Sequence, residues 1–281
     1  MSLKIVVLAK QVPDTRNVGP DAMTPEGTVN RSALPAIFNP EDLNALEQAL
    51  RLKDQFPGST ITVITMGLPK AADILRDALY RGADDAVLLT DRALGGADTL
   101  ATSYAISQAI RKIGVPDIII GGRQAIDGDT AQVGPQVAQK LDLDQVTYVE
   151  SIDSLCEECR KVTVTRRIDG GVEKVEAPLP VLLTITGSAS ACRPQNAKRV
   201  MKFKKAAAPC EGREDAKYTI TQWGAADIDA DLQQCGLAGS PTKVKAVQNI
   251  VFKAKESKQL TAADAEIESL IVELLESHTI G

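Results

Sequence analysis

The stretch from Gly122 to Gly134 has the composition of a loop that could bind an anionic ligand. It reads Gly-Arg-Gln-Ala-Ile-Asp-Gly-Asp-Thr-Ala-Gln-Val-Gly and follows an apolar run that ends at Ile120. Glycines allow the backbone to approach a ligand closely, and the free amides of a helix start, with the hydroxyl of Thr130, can donate hydrogen bonds to a phosphate. The pattern predicts either a nucleotide site or an elaborate helix cap.

Other features of the sequence narrow this choice. The loop is neither a Walker A motif nor a Gly-x-Gly-x-x-Gly sequence, which disfavours a P-loop ATPase and an ordinary dinucleotide fold. Asp127 and Asp129 would repel a phosphate, so we assign them to capping or sugar contacts. Asn39 could be only a helix cap and Met66 only a core residue. In a doubly wound sheet, however, all of these positions would meet at the carboxyl ends of the strands, where ligands bind.

Side chains that commonly do chemistry are scarce. The only histidine is His278, which argues against a Ser-His-Asp or Cys-His hydrolase. Any redox or group-transfer chemistry must therefore come from a cofactor. Cys156 and Cys159 have Cys-x-x-Cys spacing, which suits a redox pair or half of a zinc site, but a closed zinc site needs two more ligands. We expect two turn thiols and no disulfide framework.

Composition excludes several classes of protein. The 281 residues exceed one average domain, and the net charge of -5 argues against a nucleic-acid binder. Charged residues interrupt every apolar run before the roughly 18 to 20 residues that a bilayer crossing needs, so no membrane span is expected. The first ten residues run directly into a strand pattern without an export signal, which makes the cytoplasm the expected location.

The first half alternates short apolar runs with helix-period segments, as βα units on a parallel sheet do. Predicted strands cover residues 3–9, 60–66, 86–89 and 116–120. Predicted helices follow Asn39, Pro69 and Asp98, and Gly82 and Gly114 stand where helices end. The connection over residues 10–38, with a turn at 25–28, is long enough to be functional or to contain a small hairpin.

From Gln145 the pattern changes to strands. They are predicted over residues 146–152, 161–168, 172–176 and 181–186, and Asp169-Gly170-Gly171 joins two of them as a tight hairpin. Residues 198–205 carry five cations in eight residues, which indicates a solvated turn or a docking surface for an acidic partner. A weakly patterned tail follows, and it is more easily explained if another subunit supports it.

The chain ends in an amphipathic pattern from Ile267 to Leu275, preceded by a capping-box variant from Thr261 to Asp264. The predicted fold is α/β: a doubly wound, mainly parallel sheet with helices on both faces, added antiparallel strands and a partner-wrapping C-terminal tail. We divide it into an α/β nucleotide-binding domain (residues 1–187, with a hairpin extension over 145–187), a basic partner-docking segment (188–212) and a C-terminal arm and helix (213–281).

Two long motifs of the sequence resemble those of a known family. The loop from Gly122 through Gly134 is similar to the adenylate-binding loop of the electron-transfer flavoprotein beta (small) subunit. The hairpin from Val164, continuing to Thr184, resembles the signature stretch of that family. Further agreement comes from Asn39-Pro40 and from residues 10–14, Lys-Gln-Val-Pro-Asp, and the resemblance covers roughly residues 1–205.

The resemblance implies an αβ heterodimer that carries electrons between flavins, with one FAD on the alpha subunit. In one branch of the family the beta subunit holds only AMP, whereas in the electron-bifurcating branch the same pocket holds FAD. The chain resembles the second branch, because Gly128, Thr130 and Val133 stand where AMP-only members carry larger or more polar residues.

The implied function is flavin-based electron bifurcation. The beta-subunit FAD would accept a hydride from NADH and pass electrons singly to the alpha FAD, then to a flavin-dependent dehydrogenase, and to ferredoxin or flavodoxin. The alternative is a non-bifurcating subunit whose AMP is structural. A third reading, an adenylating or ATP-hydrolysing protein, lacks a catalytic lysine or phosphate motif. Whether the chain by itself counts as an enzyme stays open.

Carried over residue by residue, the resemblance implies cofactor contacts and neither a catalytic side chain nor a metal ligand. The adenosine end falls to Ala9, Asn39, Asp42 and Met66. The ribose and phosphates fall to Gly122, Arg123, Asp127, Gly128, Asp129, Thr130, Gln132 and Val133. One departure concerns docking of a dehydrogenase: the family's leucine anchor is replaced by Ala197. The partner is then different, or the contact is electrostatic, through Arg199, Lys202, Lys204 and Lys205.

Overall fold

A computed structural model of the chain describes residues 2–14, 35–242, 259–261 and 263–276. They belong to two units, and each is described by itself. The larger unit contains the described residues up to 242, and the smaller unit contains those from 259 onward. The predicted turn at 25–28 and His278 lie outside the described residues.

The larger unit contains both the predicted βα units and the predicted hairpins. In chain order its elements are β1 (Lys4–Leu8), β2 (Gln11–Pro13), β3 (Ala36–Phe38), α1 (Pro40–Gln55), β4 (Thr60–Met66), α2 (Ala72–Arg81), β5 (Asp85–Leu89), α3 (Thr99–Ile113), β6 (Ile118–Gly122), α4 (Val133–Leu141), β7 (Asp144–Cys156), β8 (Lys161–Ile168), β9 (Gly171–Pro178), β10 (Val181–Ile185), α5 (Ala197–Phe203), β11 (Ala206–Ala207), β12 (Tyr218–Thr219) and β13 (Thr221–Trp223). Short 3-10 turns cover Pro69–Ala71, Arg92–Leu94, Pro209–Glu211 and Leu232–Gln234.

Nine of the described strands form one sheet in the order β13-β5-β4-β1-β6-β10-β7-β8-β9. The pairings from β13 to β7 are parallel, and those of β7 with β8 and of β8 with β9 are antiparallel. The long connection after β1 begins and ends in an antiparallel pair, β2 with β3. The predicted mainly parallel sheet with added antiparallel strands is confirmed.

Helices cover both faces of the sheet, as predicted. Alternate residues of β4 show this: Ile61 and Val63 lie in the core on the side of α1 and α2, whereas Ile64 lies in the core on the side of α3 and α4. Strands buried on both faces are apolar along their whole length, which explains why the sequence shows continuous runs instead of alternation. Burial of this apolar surface is the main stabilising contribution.

Two strands take places that their sequence patterns do not reveal. The fully buried β10 follows the antiparallel strands in sequence but inserts in parallel between β6 and β7. The edge strand β13 comes from the weakly patterned tail and pairs with β5. Next to this pair, the amide of Thr90 donates to the carbonyl of Trp223 over 3.0 Å. A strand of three residues is too short to show a period, so the tail gave no sign of it.

The prediction that Cys156 and Cys159 are two turn thiols is wrong, because a disulfide joins them. Pairing of β7 with β8 continues to Cys156 and Lys161, so both sulfurs belong to one tight turn. Their Cα atoms lie 5.6 Å apart, an ordinary separation for a disulfide. The other cysteines in the described part of the chain are free thiols, as expected, and they are Cys192, Cys210 and Cys235.

The basic segment is partly used for internal contacts. Helix α5 begins after Asn196, whose side chain accepts a hydrogen bond from the amide of Arg199 over 3.2 Å. The guanidinium of Arg199 donates to the carbonyl of Leu79 over 2.7 Å and also to that of Ala83. Lys205 forms an ion pair with Asp215 at 3.2 Å. Arg199 therefore holds α5 to the body and is not a freely solvated cation.

The smaller unit contains α6 (Asp264–Glu276), which confirms the predicted helix. Its start differs from the prediction, because both the amide and the hydroxyl of Thr261 donate to Glu266, and Asp264 is the first helical residue. Its exposed apolar side chains are Ile267, Ile271, Val272 and Leu275. In neither unit, over the ranges described, is there a helix long and apolar enough to cross a bilayer.

Candidate functional site

The predicted site residues come from several elements that end or begin at the carboxyl edge of the sheet. Leu8 pairs in register with Ile64 on one side and with Gly121 on the other, so β1, β4 and β6 end side by side. Ala9 is buried just after β1, and the half-buried Met66 is the last residue of β4. Because β1 lies between β4 and β6 in the sheet, Met66 and Gly122 are on opposite sides of β1 at this edge.

Asp42, in the first turn of α1, joins the ends of two strands. Its carboxylate accepts the amide of Lys10 over 2.8 Å and the amide of Gly122 over 3.0 Å. A Cβ at position 122 would lie 2.4 Å from Oδ1 of Asp42, so a glycine is required there by the close approach of α1. Burial raises the pKa of Asp42 to about 7, although its hydrogen bonds act in the opposite direction.

Asn39 fixes the loop after β6. Its side chain is fully buried; Nδ2 donates to the carbonyl of Gln124 over 2.9 Å, and Oδ1 accepts the amide of Ile126 over 3.2 Å. Both polar atoms of the side chain are thereby used. Asn39 stands at the N-cap position of α1, but its side chain makes no capping hydrogen bond, so the interpretation of Asn39 as only a helix cap is wrong. Pro40 is the first helical residue, so the helix predicted to follow Asn39 is confirmed.

Glu41 holds the same loop from a second direction. Its carboxylate accepts the amide of Gln124 over 2.9 Å and pairs with Arg123 at 3.1 Å. The guanidinium of Arg123 also stands 5.5 Å from the ring centre of Tyr148. Because its charge is already balanced by Glu41, Arg123 is a weaker anion ligand than its type suggests.

The two aspartates of the loop have partners within the protein. Asp127 accepts from Nζ of Lys10, at 2.7 Å and 2.9 Å for its two oxygens. Asp129 accepts from Nε2 of Gln124 over 2.7 Å, and its φ of 50° marks a tight turn. These contacts are not helix caps, and the predicted sugar contacts of the two aspartates stay a prediction. They also reduce the repulsion that the two carboxylates would exert on a phosphate.

The middle of the loop faces open space. Gly128 and Thr130 are exposed, and a Cβ added at Gly128 would meet no atom of the described residues within 4 Å. Gln132, just before α4, accepts a hydrogen bond from the hydroxyl of Thr99 over 2.7 Å. Val133 is the first residue of α4.

The start of α4 differs from the other helix starts at this edge. In the described structure α1 and α2 also lack a side-chain cap, but each has an acidic residue in its first turn. At α3, Asp98 accepts the amides of Leu100 and Ala101. The first turn of α4 contains no acidic residue, and in the part of the chain that the structure describes no side chain caps it. The helix is also held firmly, because a Cβ at Gly134 would lie 2.7 Å from Cγ2 of Thr184 on β10.

This donor set fits an anionic phosphate. The amides of Val133 and Gly134 belong to the open first turn, the hydroxyl of Thr130 lies just before it, and the positive end of the helix dipole is at the same place. Three further predicted residues, Asn39, Asp42 and Gly122, hold the base of the loop. The residues present therefore fit the phosphate part of a nucleotide cofactor.

Sequence reasoning missed four side chains that shape this site: Lys10, Glu41, Thr99 and Gln124. Thr99 begins α3 at the carboxyl edge, and that position is a signal which could have found it.

The comparison with protein families identifies the class of protein. The model of the electron transfer flavoprotein domain matches residues 26–209, and the chain belongs to the electron transfer flavoprotein family.

Relatives narrow this to a subunit type. Protein FixA of Sinorhizobium fredii is 41% identical over 280 residues, covering 98% of this chain and 93% of that protein. The caffeyl-CoA reductase-Etf complex subunit CarD of Acetobacterium woodii is 42% identical over 281 residues, covering 99% and 100%. The electron transfer flavoprotein subunit beta of Clostridium acetobutylicum is 48% identical over 243 residues, covering 86% of each. The chain is thus a beta-type electron-transfer subunit, working in flavin-associated electron transfer, and the predicted resemblance is confirmed.

Proposed function

We propose that this chain binds FAD at the carboxyl edge of its sheet and takes part in electron bifurcation. In this proposal, FAD held here would let the chain take electrons from NADH and pass them one at a time to the FAD of an alpha subunit and to ferredoxin or flavodoxin. The observation that carries the proposal is the open start of α4 beside the exposed, unobstructed Gly128. A helix start suits a phosphate, and space at Gly128 suits a ligand larger than a mononucleotide.

The chain's residues bind and place the cofactor. Asn39, Glu41 and Asp42 hold the loop in one position, so its amides need no rearrangement when a ligand arrives. Ala9 and Met66 would border the adenosine end. The residues from Asp127 to Val133, with Gly122, would border the ribose and the phosphates. Arg123 would contribute to charge balance only together with Glu41, with which it is paired.

When bound, the flavin would supply the redox chemistry by which the two electrons of a hydride from NADH reach two one-electron acceptors. The chain contributes binding and orientation, and no side chain is required as an acid or base.

The same proposal assigns partners to the rest of the chain. The arm over residues 213–281 would reach the alpha subunit through α6, which exposes several apolar side chains, whereas its β13 pairs with the sheet of this chain. Residues 188–212 would dock a flavin-dependent dehydrogenase, with Lys202 and Lys204 as the cations for an acidic partner. The name of CarD places that relative in a complex with a reductase, which supports an assembly of this kind. The cytoplasm remains the expected location.

The variant Gly128→Leu tests the position of the cofactor. A leucine side chain would fill the space proposed for the ligand, so the beta-site FAD should be lost while the alpha-subunit FAD is retained. Gly171→Leu is the matched control, because Gly171 also faces open space among the described residues, in the exposed turn between β8 and β9. Both variants are compared with wild type as αβ heterodimers, by the flavin released on precipitation.

The outcomes separate the alternatives. Loss of one FAD in Gly128→Leu, with full occupancy in Gly171→Leu, supports the proposal. Full occupancy in both variants would show that the ligand does not pass Gly128. Release of AMP from the wild-type heterodimer would favour the non-bifurcating alternative, in which the nucleotide is structural.

A further inference from the structure

The turn between β7 and β8 carries a pair of cysteines that the proposed electron transfer does not use. Cys156 and Cys159 form a disulfide, and both residues are exposed. We propose that this pair is a second redox site, which undergoes thiol–disulfide exchange with dithiols of other proteins. Its substrate class is a protein dithiol, and the site is separate from the nucleotide site.

The hairpin keeps the two sulfurs together in either redox state. Cys156 pairs with Lys161, and the neighbouring Leu155 pairs with Val162, so the strands hold the turn from both sides. The Cα atoms of the two cysteines lie 5.6 Å apart. Because the strand pairing does not depend on the S–S bond, reduction should leave the thiols close enough to close again. A preorganised pair of this kind supports a reversible reaction.

The two sulfurs are not equivalent. The amide of Cys159 donates a hydrogen bond to Sγ of Cys156 over 3.2 Å. A hydrogen bond to the charged form stabilises a thiolate, which makes Cys156 the better leaving group. The incoming thiolate therefore attacks Sγ of Cys159.

The exchange then balances in two steps. The first attack forms a mixed disulfide with Cys159, breaks the bond to Cys156 and releases its thiolate. The second thiol of the partner, as thiolate, attacks the partner's sulfur of the mixed disulfide and releases Cys159. The partner dithiol is oxidised to a disulfide, and Cys156 and Cys159 are reduced to two thiols, which take up the two protons that the partner loses.

Other cysteines of the described residues lack these features. Burial raises the pKa of the Cys192 thiol to about 11, which makes it unreactive near neutral pH. Cys235 is buried, and Cys210, although exposed, has no neighbouring cysteine with which to form a disulfide in the described structure. The ranges described also contain no cluster of His, Cys, Asp and Glu side chains that would complete a metal site at the turn.

The turn lies at the edge of the sheet opposite the nucleotide site. Arg160, which follows Cys159, pairs with Asp117 at 2.7 Å, and Asp117 accepts the amide of Lys4 at the start of β1 over 2.8 Å. The proposed nucleotide site lies at the other end of the same strand, near Lys10. The redox state of the cysteine pair should therefore leave flavin occupancy unchanged, and the two proposals can fail independently.

The test uses the purified heterodimer with reduced thioredoxin as the protein dithiol and dithiothreitol as the small dithiol. Thiols are alkylated with N-ethylmaleimide after denaturation. The number of labels on the peptide containing residues 156–159 is then measured by mass spectrometry. We expect no label before reduction, two labels after either reductant, and loss of both labels after reoxidation with glutathione disulfide. Flavin content should stay constant throughout. Two labels before any reductant, or no label after thioredoxin, would overturn the proposal.

Single substitutions test the assigned order of attack. In Cys159→Ser the amide of residue 159 still donates to Sγ of Cys156, whereas Cys156→Ser leaves Cys159 without that donor. We expect alkylation of Cys156 in the first variant to be ~3-fold faster at pH 7 than that of Cys159 in the second. Equal rates, or the reverse order, would refute the assignment of Cys156 as leaving group. A further test adds a thiol-blocking mercurial to the wild-type complex and measures released zinc. Zinc released in proportion to the blocking of the two thiols would overturn the exchange role in favour of a metal site.

Discussion

An aspartate accepts backbone amides at each end of the parallel strands, Asp117 at the amino edge and Asp42 at the carboxyl edge, and the charges around the two differ. At the amino edge, Asp117 accepts the amide of Lys4 and pairs with the exposed Arg160. At the carboxyl edge, Asp42 accepts the amides of Lys10 and Gly122, and among the residues that the structure describes no cation pairs with it. Its pKa is consequently raised by burial to about 7.

This difference indicates how the molecule divides stability and function. A carboxylate with a cation and access to solvent joins strands at little cost, as at Asp117. A buried carboxyl group without a cation is unfavourable by itself and persists because the surrounding loop requires it. The carboxyl edge therefore holds a defined loop shape at the expense of local stability. The predictions below compare the two edges.

The largest effect is expected from Gly122→Ala at the carboxyl edge. The new Cβ would lie 2.4 Å from Oδ1 of Asp42 and 2.9 Å from backbone atoms of Glu41 and Asp42. We expect a loss of about 3 kcal/mol in the free energy of unfolding, since backbone must move. Gly121→Ala is the control, because its nearest neighbour, Cβ of Leu8, lies 3.4 Å away. Equal denaturation midpoints for the two variants would contradict the tight approach at Gly122.

Asn39→Ala should cost more than a helix cap. It leaves the carbonyl of Gln124 and the amide of Ile126 without their buried partner, a loss of roughly 2 kcal/mol. Asn196→Ala removes a true cap from α5 and should cost about 1 kcal/mol. Chemical denaturation of both variants provides the comparison. A smaller effect at Asn39 would restore the helix-cap interpretation.

Asp42→Asn should change how stability depends on pH. Between an ordinary pKa of 3.8 and the raised value of about 7, the folded wild type binds more protons than the unfolded chain. Its stability therefore falls as the pH rises through this window, by up to about 1.4 kcal/mol per pH unit.

The asparagine variant lacks this titration, so its stability relative to wild type should improve between pH 5 and pH 6. Thermal denaturation at the two pH values measures the change. Parallel behaviour of Asp42→Asn and wild type would argue against a raised pKa in the folded state.

The smallest effect is expected from Arg160→Ala at the amino edge. The ion pair with Asp117 spans 2.7 Å, but the arginine side chain is 51% exposed. Solvent screening limits such a pair to less than about 1 kcal/mol. The midpoint of urea denaturation should move slightly and less than in any variant above. A loss as large as that of Gly122→Ala would mean that the amino edge is as demanding as the carboxyl edge.

Local patterns predicted most of the elements. Apolar runs located β1, β4, β5 and β6, and the start and stop residues located α1 to α3, because burial and capping act over a few neighbouring residues. The place of β10 between β6 and β7 could not be predicted, since an apolar run does not reveal which strands it joins. The contribution of β13 was hidden because three residues are too few for a period.

The sequence predicted which residues lie at the site, but it did not predict which side chains contact each other there. Parallel strands bring Ala9, Met66 and Gly122 to one edge, and this follows from topology alone. The partners of Asn39 and Asp127 depend on the path of a loop in three dimensions, which no local pattern records. For the same reason the closure of Cys156 with Cys159 was missed: it depends on how far the pairing of β7 and β8 extends.

The most direct test of the central claim is the nucleotide content of the wild-type αβ heterodimer. Acid precipitation releases noncovalent cofactors, and chromatography measures FAD and AMP for each αβ pair. An open loop at Gly128 beside the start of α4 predicts two FAD and no AMP. One FAD and one AMP for each pair would contradict the assignment of a flavin to this chain.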